Sequence, residues 1–512
     1  MNVTRAERVL QGLAALGVRA CAIAPGARNS PLVAALEVAA GFERYRFFEE
    51  RSAAFFALGR ARALGAPAAV ITTSGTAAAE CLPAAIEGYY SGVPLVIVTA
   101  DRPARLRGTG APQTIEQRGL FQGHAPTVTF ETSWPDLPLR ERRRPVHINV
   151  PFDEPLLERA PAPRRYRAAA VPPRAGFAGD LAALAAFLEQ AALPLVLVGA
   201  LEPADVAPVR RFLKQLGAPV HAEPHSGLRE DPELAGLLLR GGDRVLRRID
   251  FDAVLRLGGV PALRLWRDLD RAGPPVFSVS ALPRRGMSRG GLLHGTFAAA
   301  LDALSPTRVA MDLAPLRARD RAFARALDRI LEAEPRSEPA LVRGLSRLVP
   351  PDARVYLGNS LPLREWDLVA DRAPNRRVVR ASRGANGIDG QVSTFLGLAE
   401  PGAENWAVIG DLTALYDLAA PWVVPQLADR RLRIVVVNNR GGRIFGRLFA
   451  EPAFVNQHEI SFEPWARMWK LDYVRWEAIP AARPDAAASV IEVVPDLEAT
   501  RRVRAALDAL ER

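Results

Sequence analysis

The chain has 512 residues, of which 49% are hydrophobic, and it carries a formal net charge of +11. At roughly 150 residues per domain, this length predicts about three domains with buried cores. The basic residues are scattered rather than clustered with aromatic side chains, which argues against a nucleic-acid-binding protein. Apolar runs stay shorter than the roughly 18 residues of a membrane span, and the N-terminus shows no cleavage site for a signal peptide. We therefore expect a cytoplasmic protein that does not enter a membrane.

The basic residues are almost all arginine, since only Lys214 and Lys470 among the 67 are lysine. A basic protein of this kind suits small polyanionic substrates. The two cysteines, Cys21 and Cys81, lie in apolar segments and are too few for a disulfide framework. We expect two buried thiols in a reducing compartment.

Residues 1–160 alternate short apolar runs with longer helical runs, a pattern that predicts a parallel sheet covered by helices. Ser30-Pro31 predicts the start of a helix, because proline suits the first helical turn. A second helix is predicted over 51–65, and strands are predicted over 20–26, at the start of 68–88, and over 94–103. Six prolines between 151 and 176 indicate a linker after this domain.

The same alternation returns twice. Residues 177–320 predict strands over 194–200, 219–223, 251–259 and 275–280. Few polar residues follow these strands, so we expect this central domain to be mainly structural. An exposed helix and a second linker are predicted over 306–340, and residues 335–512 predict strands over 353–358, 405–411 and 433–439. The whole sequence predicts an α/β protein of three doubly wound parallel-sheet domains.

The most informative polar residues follow two strands of the third domain. Gly410-Asp411-Leu412 ends one strand, and Asn438-Asn439-Arg440-Gly441-Gly442 ends the next. Ligands of open α/β sheets bind at the carboxyl ends of the strands, so both segments are expected at one edge. A carboxylate, an amide oxygen and a glycine carbonyl suit octahedral magnesium, and helix N-termini there can bind a diphosphate. Taken singly, the segments also fit an N-cap aspartate and an Asn-Gly turn.

Two acids, Glu49 and Glu50, stand between an aromatic strand end and the start of a helix. The surrounding phenylalanines, Phe47 and Phe48 among them, suggest partial burial. A buried carboxyl group has a raised pKa and can share a proton with a heterocycle nitrogen. An acid at this position can equally serve as a helix cap or a dipole partner.

Other catalytic motifs are incomplete in this sequence. Neither lysine follows a glycine, so a Walker A loop is excluded. The segment Gly358-Asn359-Ser360-Leu361-Pro362 resembles a nucleophile elbow but lacks its second glycine. His221 and His225 have metal-like spacing, but Pro224 between them argues against the helix that such a pair needs.

Together these motifs resemble the thiamine-diphosphate (ThDP) enzyme superfamily. GDL with NNRGG is similar to its magnesium–diphosphate motif, and FFEERS is similar to the segment of its catalytic glutamate. Within the superfamily, the chain most resembles the MenD family of 2-succinyl-5-enolpyruvyl-6-hydroxy-3-cyclohexene-1-carboxylate (SEPHCHC) synthases. The resemblance covers both outer domains, in segments such as APGARNSPL (24–32), TSGTAAAECLPAAIE (73–87), GNSLPLREWD (358–367), SRGANGIDG (382–390), IGDLTALYDL (409–418) and VVVNNRGGRIF (435–445).

The resemblance implies roles for individual residues. Glu50 matches the glutamate that faces the cofactor pyrimidine, and Ile388 matches the apolar residue that keeps the cofactor bent. The magnesium ligands match Asp411, Asn439 and the Gly441 carbonyl, with Leu412 as a further cofactor contact. The matches to substrate-contacting positions are Arg28, Arg102, Gln113, Ser360, Arg364, Arg383, Ile444 and Leu448.

The family further implies ThDP with Mg²⁺, or Mn²⁺, as cofactors, and 2-oxoglutarate and isochorismate as substrates. It implies loss of carbon dioxide in menaquinone biosynthesis, and a homodimer or a dimer of dimers. Ala27, Asn386 and Arg440 depart from the usual family residues, which puts fine substrate contacts in question. For the basic pair that the family has in its central domain, Arg285 and Arg289 are the candidates.

Two other functions stay open on the sequence. One is another ThDP-dependent 2-oxo acid decarboxylase or carboligase, similar to an acetohydroxyacid synthase. The paired segments 358–367 and 382–390 argue against it. The other is a non-catalytic, cofactor-binding regulator, and the retention of Glu50 beside a complete metal set argues against that function.

Overall fold

The computed structural model describes residues 1–130, 143–171, 176–304, 309, 311–447, 449 and 451–510. Within these residues, three six-stranded sheets follow one another along the chain, and helices cover them. This arrangement confirms the predicted α/β class with three parallel-sheet units. The domain limits 1–160, 177–320 and 335–512 stay predictions. None of the described helices is both long and apolar enough to span a lipid bilayer.

The first unit is built on a parallel sheet with the strand order β3-β1-β4-β5-β7-β6. Its strands are β1 (Ala20–Ile23), β2 (Ala39–Ala40), β3 (Glu43–Arg46), β4 (Ala68–Thr72), β5 (Leu95–Asp101), β6 (Thr127–Thr129), β7 (Val146–Pro151) and β8 (Arg164–Arg165). Its helices are α1 (Asn2–Ala15), α2 (Ser30–Glu37), α3 (Glu50–Leu64), α4 (Thr76–Ala79) and α5 (Leu82–Ser91). Strands β1, β4 and β5 are buried along their whole length, which explains their continuous apolar sequence.

The predicted linker over 151–176 packs against this unit where the structure describes it. Strand β8 pairs with β2, and the Tyr166 ring lies 5.5 Å from the ring of Phe42. Phe152 is fully buried in the core of the first unit. The described part of this segment therefore packs onto the first unit.

The central unit has the strand order β11-β10-β12-β13-β14-β9, in which only β9 is antiparallel among the described strands. Its strands are β9 (Phe177–Ala178), β10 (Pro194–Val198), β11 (Val220–Ala222), β12 (Ala253–Leu257), β13 (Val276–Ser280) and β14 (Gly291–Gly295). Its helices are α6 (Leu181–Gln190), α7 (Pro203–Leu216), α8 (Asp243–Leu246), α9 (Arg264–Arg271) and α10 (Phe297–Asp302).

The third unit has the order β16-β15-β17-β18-β20-β19, which repeats the strand order of the first sheet. The helices of this part of the chain are α11 (Ala314–Ala333), α12 (Glu338–Leu348), α13 (Leu361–Val369), α14 (Gln391–Leu398), α15 (Asp411–Tyr416), α16 (Glu463–Met468) and α17 (Leu497–Ala509). Its strands are β15 (Arg354–Leu357), β16 (Val378–Arg380), β17 (Glu404–Gly410), β18 (Arg431–Val437), β19 (Asp472–Trp476) and β20 (Ala488–Val493).

Helices α3 and α14 join the first and third units through a close glycine contact. A Cβ atom on Gly59 would lie 2.2 Å from the carbonyl oxygen of Thr394, and one on Gly397 would lie 2.2 Å from that of Phe56. Any side chain at either position would push the helices apart. The buried contact fixes the start of α3, which carries Glu50, relative to the third unit.

Candidate active site

The carboxyl ends of β17 and β18 bring Asp411 and the 438–441 segment together. The two strands pair in register up to Gly410 and Val437, so the residues that follow them meet at one edge. Asp411 is 2% exposed, and its carboxylate accepts hydrogen bonds from the backbone N–H groups of Leu412 (2.6 Å) and Gly441 (2.8 Å). The second contact links Asp411 to the turn that contains Gly441.

Asn439 presents a free amide oxygen at the same edge. Its side-chain nitrogen donates to both carboxylate oxygens of Glu338, at 2.9 and 3.0 Å, which fixes the orientation of the amide. The amide oxygen is buried and has no hydrogen-bond partner among the described residues. Gly441 has φ 127°, where a Cβ atom would lie 2.5 Å from the Val455 carbonyl oxygen, so only glycine fits.

This oxygen set fits a hard divalent cation. Asp411 offers a carboxylate, Asn439 an unpaired amide oxygen and Gly441 a backbone carbonyl, which are the ligand types that magnesium prefers. Burial raises the pKa of Asp411 above its ordinary value of 3.8, and a bound cation would favour the ionised form. Glu338, which orients Asn439, was not identified from the sequence because it lies about a hundred residues away, on α12.

Glu50 is the first residue of α3 and is half-buried in an opening of about 470 Å³ that Thr73, Ser74 and Gln113 also line. Burial raises the pKa of Glu50 above 4.5, and the neighbouring carboxylates of Glu49 and Glu80 raise it further. The expected burial holds for the phenylalanines around it except Phe48, which is 56% exposed.

The two adjacent acids have different roles in the helix. The carboxylate of Glu49 accepts hydrogen bonds from the backbone N–H groups of Arg51 (3.0 Å) and Ser52 (2.9 Å) and thereby caps α3. Because Glu49 serves as the cap, Glu50 is available for a proton-sharing contact in the opening.

Arg364 and Arg383 line a larger cavity of about 950 Å³ between the central and third units, together with Ile444. Arg364 donates to the backbone oxygen of Ser360 (2.8 Å), and Arg383 donates to the side-chain oxygen of Asn359 (3.1 Å). Burial lowers the pKa of both arginines, and the positive charge of Arg383 also lowers that of Arg364. An anionic ligand would relieve this repulsion.

The remaining predicted residues of the first unit lie apart from that cavity. Arg28 is 5% exposed and donates to the carbonyl of Phe152 (3.1 Å). Arg102 follows β5 and is half-buried, whereas Gln113 is exposed with φ 55°. Neither arginine lines the opening around Glu50 or the large cavity, and these two openings have no lining residue in common. One chain therefore carries the predicted residues in separate places.

The loop after β16 carries Arg383 and Ile388, and a buried acid of the first unit holds it in place. Glu87 on α5 accepts hydrogen bonds from the backbone N–H groups of Gly384 (2.9 Å) and Ala385 (2.7 Å). Ile388 and Leu412 are half-buried. Leu448 lies outside the described residues.

Three non-glycine residues of these segments have a strained backbone. Ser360, Asn386 and Arg440 adopt φ values of 71°, 62° and 62°, a region that non-glycine residues rarely occupy. Such strain is typical of functional sites, where the surrounding structure holds it. Asn386 and Arg440, two departures from the family residues, occupy two of these positions.

The central unit contributes more to the large cavity than its sequence predicted. Glu223, Arg264 and Arg267 line it. That the central domain is mainly structural stays a prediction. Arg285 and Arg289 do not line it; Arg289 instead donates to the backbone oxygens of Leu269 and Pro274. The rule that ligands meet the carboxyl ends of strands could have identified Arg264, which begins α9, the helix that follows β12.

The first histidine of the pair in the central unit is in contact with protein groups. His221 contacts the backbone oxygen of Leu239 (3.2 Å) and lies 3.3 Å from the carboxylate of Asp367. In the part of the chain that the structure describes, no cluster of three His, Cys, Asp or Glu side chains could hold a metal. Among the proposed ligands Asp411, Asn439 and Gly441, only Asp411 is one of these four residue types, so that group falls outside this criterion.

Comparisons with known proteins address the same regions. Residues 3–120 match the family described as thiamine pyrophosphate enzyme, N-terminal TPP binding domain. A 2-succinyl-5-enolpyruvyl-6-hydroxy-3-cyclohexene-1-carboxylate synthase from Bdellovibrio bacteriovorus is 43% identical over 98% of this chain and 97% of its own length. Synthases of the same name from Akkermansia muciniphila and Halobacterium salinarum are 40% and 33% identical, over 95% and 98% of this chain and 95% and 97% of theirs.

A solved structure shares the fold along nearly the whole chain. It is described as a thiamin diphosphate-dependent enzyme isolated from Mycobacterium smegmatis. It superposes with a TM-score of 0.70 at 18% identity, over 96% of this chain and 99% of its own. At this identity the likeness shows the three-unit fold alone.

Proposed function

The chain belongs to the family of SEPHCHC synthases, and on that premise we propose that it decarboxylates 2-oxoglutarate and joins the remaining succinyl unit to isochorismate. The bond between the 2-oxo carbon and its carboxylate breaks and carbon dioxide leaves. A new bond joins that carbon to the ring of isochorismate, and one proton is taken up. The observation that carries this proposal is the buried oxygen set of Asp411, Asn439 and Gly441 at the edge of the third sheet.

We propose that this set holds Mg²⁺, or Mn²⁺, and through it the diphosphate of ThDP. When bound, ThDP supplies the carbon nucleophile and the electron sink that decarboxylation of a 2-oxo acid needs. Asp411, which accepts from two backbone amides, and Asn439, which donates to Glu338, would hold the metal in a fixed orientation. Leu412 and Ile388 supply apolar contacts beside it.

Glu50 is proposed to share a proton with a ring nitrogen of the cofactor pyrimidine. Its carboxyl group already has a raised pKa because of burial and two neighbouring acids. A protonated carboxyl group can donate a hydrogen bond to a heterocycle nitrogen, and its ionised form can take the proton back. No nucleophilic side chain is needed for this chemistry.

Arginines are proposed to recognise both substrates, which are dicarboxylates. A guanidinium group binds a carboxylate through two parallel hydrogen bonds, which lysine cannot reproduce. Arg364 and Arg383 lie in one cavity, while Arg28 and Arg102 lie in the first unit. Ser360, Gln113, Ile444 and Leu448 complete the proposed substrate contacts.

We also propose that the working unit is a homodimer, or a dimer of dimers. Glu50 and Arg364 line separate openings of one chain, so a second copy could bring its first unit to the third unit of its partner. A two-fold arrangement would then form two equal sites. We place the reaction in the cytoplasm, where Cys21 and Cys81, both free and buried, would stay reduced.

The decisive experiment measures product formation from 2-oxoglutarate and isochorismate, with and without ThDP and Mg²⁺. We expect turnover only when both cofactors are present. Pyruvate, which lacks the distal carboxylate, should replace 2-oxoglutarate poorly. Equal use of pyruvate and 2-oxoglutarate would contradict the proposal and favour a function similar to acetohydroxyacid synthase.

A further inference from the structure

Glu223 is a buried acid that neither the proposed metal site nor the substrate arginines explain. It follows β11 at the carboxyl end of the central sheet and lines the same cavity as Arg364 and Arg383. Only 3% of the residue is exposed. One carboxylate oxygen accepts a hydrogen bond from the backbone N–H of Ala262 (2.6 Å), which fixes the orientation of the side chain.

The second carboxylate oxygen of Glu223, Oε2, accepts no hydrogen bond from any described residue. The ring nitrogen Nε2 of His225 lies 3.8 Å away, which is beyond hydrogen-bond reach. Burial lowers the pKa of His225 to about 3, so this ring is neutral at neutral pH. Leaving a buried acceptor without a donor is unfavourable, and more so when the acceptor is charged.

The charges around Glu223 come from both units that form the cavity. Its own segment, continued by the short turn Pro224–Ser226, packs against β16 and α13 of the third unit. Burial raises the pKa of Glu223 to about 7; Arg383 and His221 oppose the shift, and Asp367 adds to it. The carboxylate is therefore held next to the arginines without being neutralised by a direct ion pair among the described residues.

We propose that Oε2 of Glu223 accepts a hydrogen bond from the ring hydroxyl of the acceptor substrate, and that this contact selects the hydroxylated ring. The inference rests on the proposed function, since the product named for the relatives carries one hydroxyl group among its carboxylates. The carboxylates suit the arginines, whereas a hydroxyl group supplies the donor that Oε2 lacks. A buried site built for a hydroxyl group discriminates strongly against an analogue without it, because the acceptor is then left unpaired.

The test compares kcat/KM for isochorismate with that for an analogue whose ring hydroxyl is replaced by hydrogen. The variant is Glu223→Gln, whose amide oxygen can still accept from Ala262, so the loop is retained. We expect the variant to lose about 10-fold or more in kcat/KM for isochorismate, because a charge-assisted hydrogen bond is lost. We expect no loss for the deoxy analogue, nor in the KM for 2-oxoglutarate or in ThDP affinity.

Glu233→Gln is the matched control, because Glu233 is an exposed acid of the same unit that pairs with Lys214 at 2.7 Å, outside the cavity. It should behave as the wild type. A second readout is the pH profile. An ionised acceptor predicts that kcat/KM for isochorismate rises with pH through about 7 in the wild type and loses this rise in Glu223→Gln.

The possible failures are distinguishable. A wild type that forms no product from 2-oxoglutarate and isochorismate overturns the proposed function, and this inference with it. A productive wild type that uses both acceptors equally well overturns the inference alone. So does a variant that loses both acceptors, or both substrates, to the same extent, because Glu223 would then act only by holding Arg383.

Discussion

The first and third sheets share one strand order, yet the acids at their carboxyl edges have different surroundings. In the third sheet, Asp411 is buried and bonded to two backbone amides beside the unpaired oxygen of Asn439. In the first sheet, Glu50 is half-buried in an opening with Glu80 as a like-charged neighbour. Strand order therefore sets where a ligand can bind, and the residues after each strand set the chemistry.

The two acids also differ in their freedom to exchange a proton. Each begins a helix directly at the sheet edge, Asp411 in α15 and Glu50 in α3. The carboxylate oxygens of Asp411 accept from the backbone amides of Leu412 and Gly441, whereas Glu49 takes the capping role and leaves Glu50 without it. We therefore expect the carboxyl edge of the third sheet, called the third edge, to hold the cofactor. The carboxyl edge of the first sheet, called the first edge, is expected to activate it.

The largest effect is expected for Asp411→Ala, which should abolish cofactor binding rather than cofactor activation. Asp411→Ala removes the only carboxylate of the proposed metal set, so calorimetry should show that magnesium-dependent ThDP binding is lost. Even residues that only hydrogen-bond to a metal ligand typically contribute about 10–100-fold in affinity, so the loss should exceed about 100-fold. Asp472→Asn, an exposed acid on β19, is the control. Unchanged ThDP affinity in Asp411→Ala would contradict the assignment of the third edge.

Glu50→Gln should show the opposite behaviour, with ThDP bound and activity lost. Removing a positioned acid–base group should slow turnover by about 100-fold or more. Exchange of the cofactor C2 proton, followed by NMR, should slow accordingly, while calorimetric ThDP affinity stays near that of the wild type. Proton exchange at the wild-type rate would rule out the activating role of the first edge.

A smaller effect tests which edge recognises the substrates. Arg383→Lys keeps the charge but loses the two-pronged geometry, so the KM for one substrate should rise by about 30-fold, the lower end of the 2–5 kcal/mol cost of a buried charged contact. ThDP affinity should stay nearly intact. Arg501→Lys, exposed and paired with Glu498 on α17, is the control. If the variant weakened ThDP binding and left both KM values unchanged, Arg383 would belong to the cofactor site.

The fold and the third sheet edge could be predicted from the sequence because both are local patterns. Apolar runs that alternate with helical ones predicted the three parallel-sheet units. Asp411 and the Asn438–Gly442 segment directly follow such runs, so the strand-end rule was enough to place them at one edge. The acid pair at Glu49 and Glu50 was also found, but only the structure shows which of the two caps the helix.

The long-range partners could not be predicted from local patterns. Glu338, on α12, orients Asn439, which follows β18. Glu87, on α5 of the first unit, holds the loop that carries Arg383. Glu223 follows a strand of the central domain, which the sequence predicted to be mainly structural, and its proposed role depends on an oxygen that accepts no hydrogen bond from any described residue. These contacts join residues far apart in the chain, and no spacing or periodicity records them.

The last prediction tests whether the two edges that form one site come from different chains. Glu50→Gln and Asp411→Ala should each be nearly inactive alone. If each site combines the first unit of one copy with the third unit of another, random reassembly of equal amounts makes half of the dimers mixed, and each mixed dimer has one intact site. Activity should therefore return to about one quarter of the wild-type value in a two-fold dimer. Activity that stays at the level of the separate variants after confirmed subunit exchange, or a fully active monomer in light scattering, would place both edges of one site on the same chain.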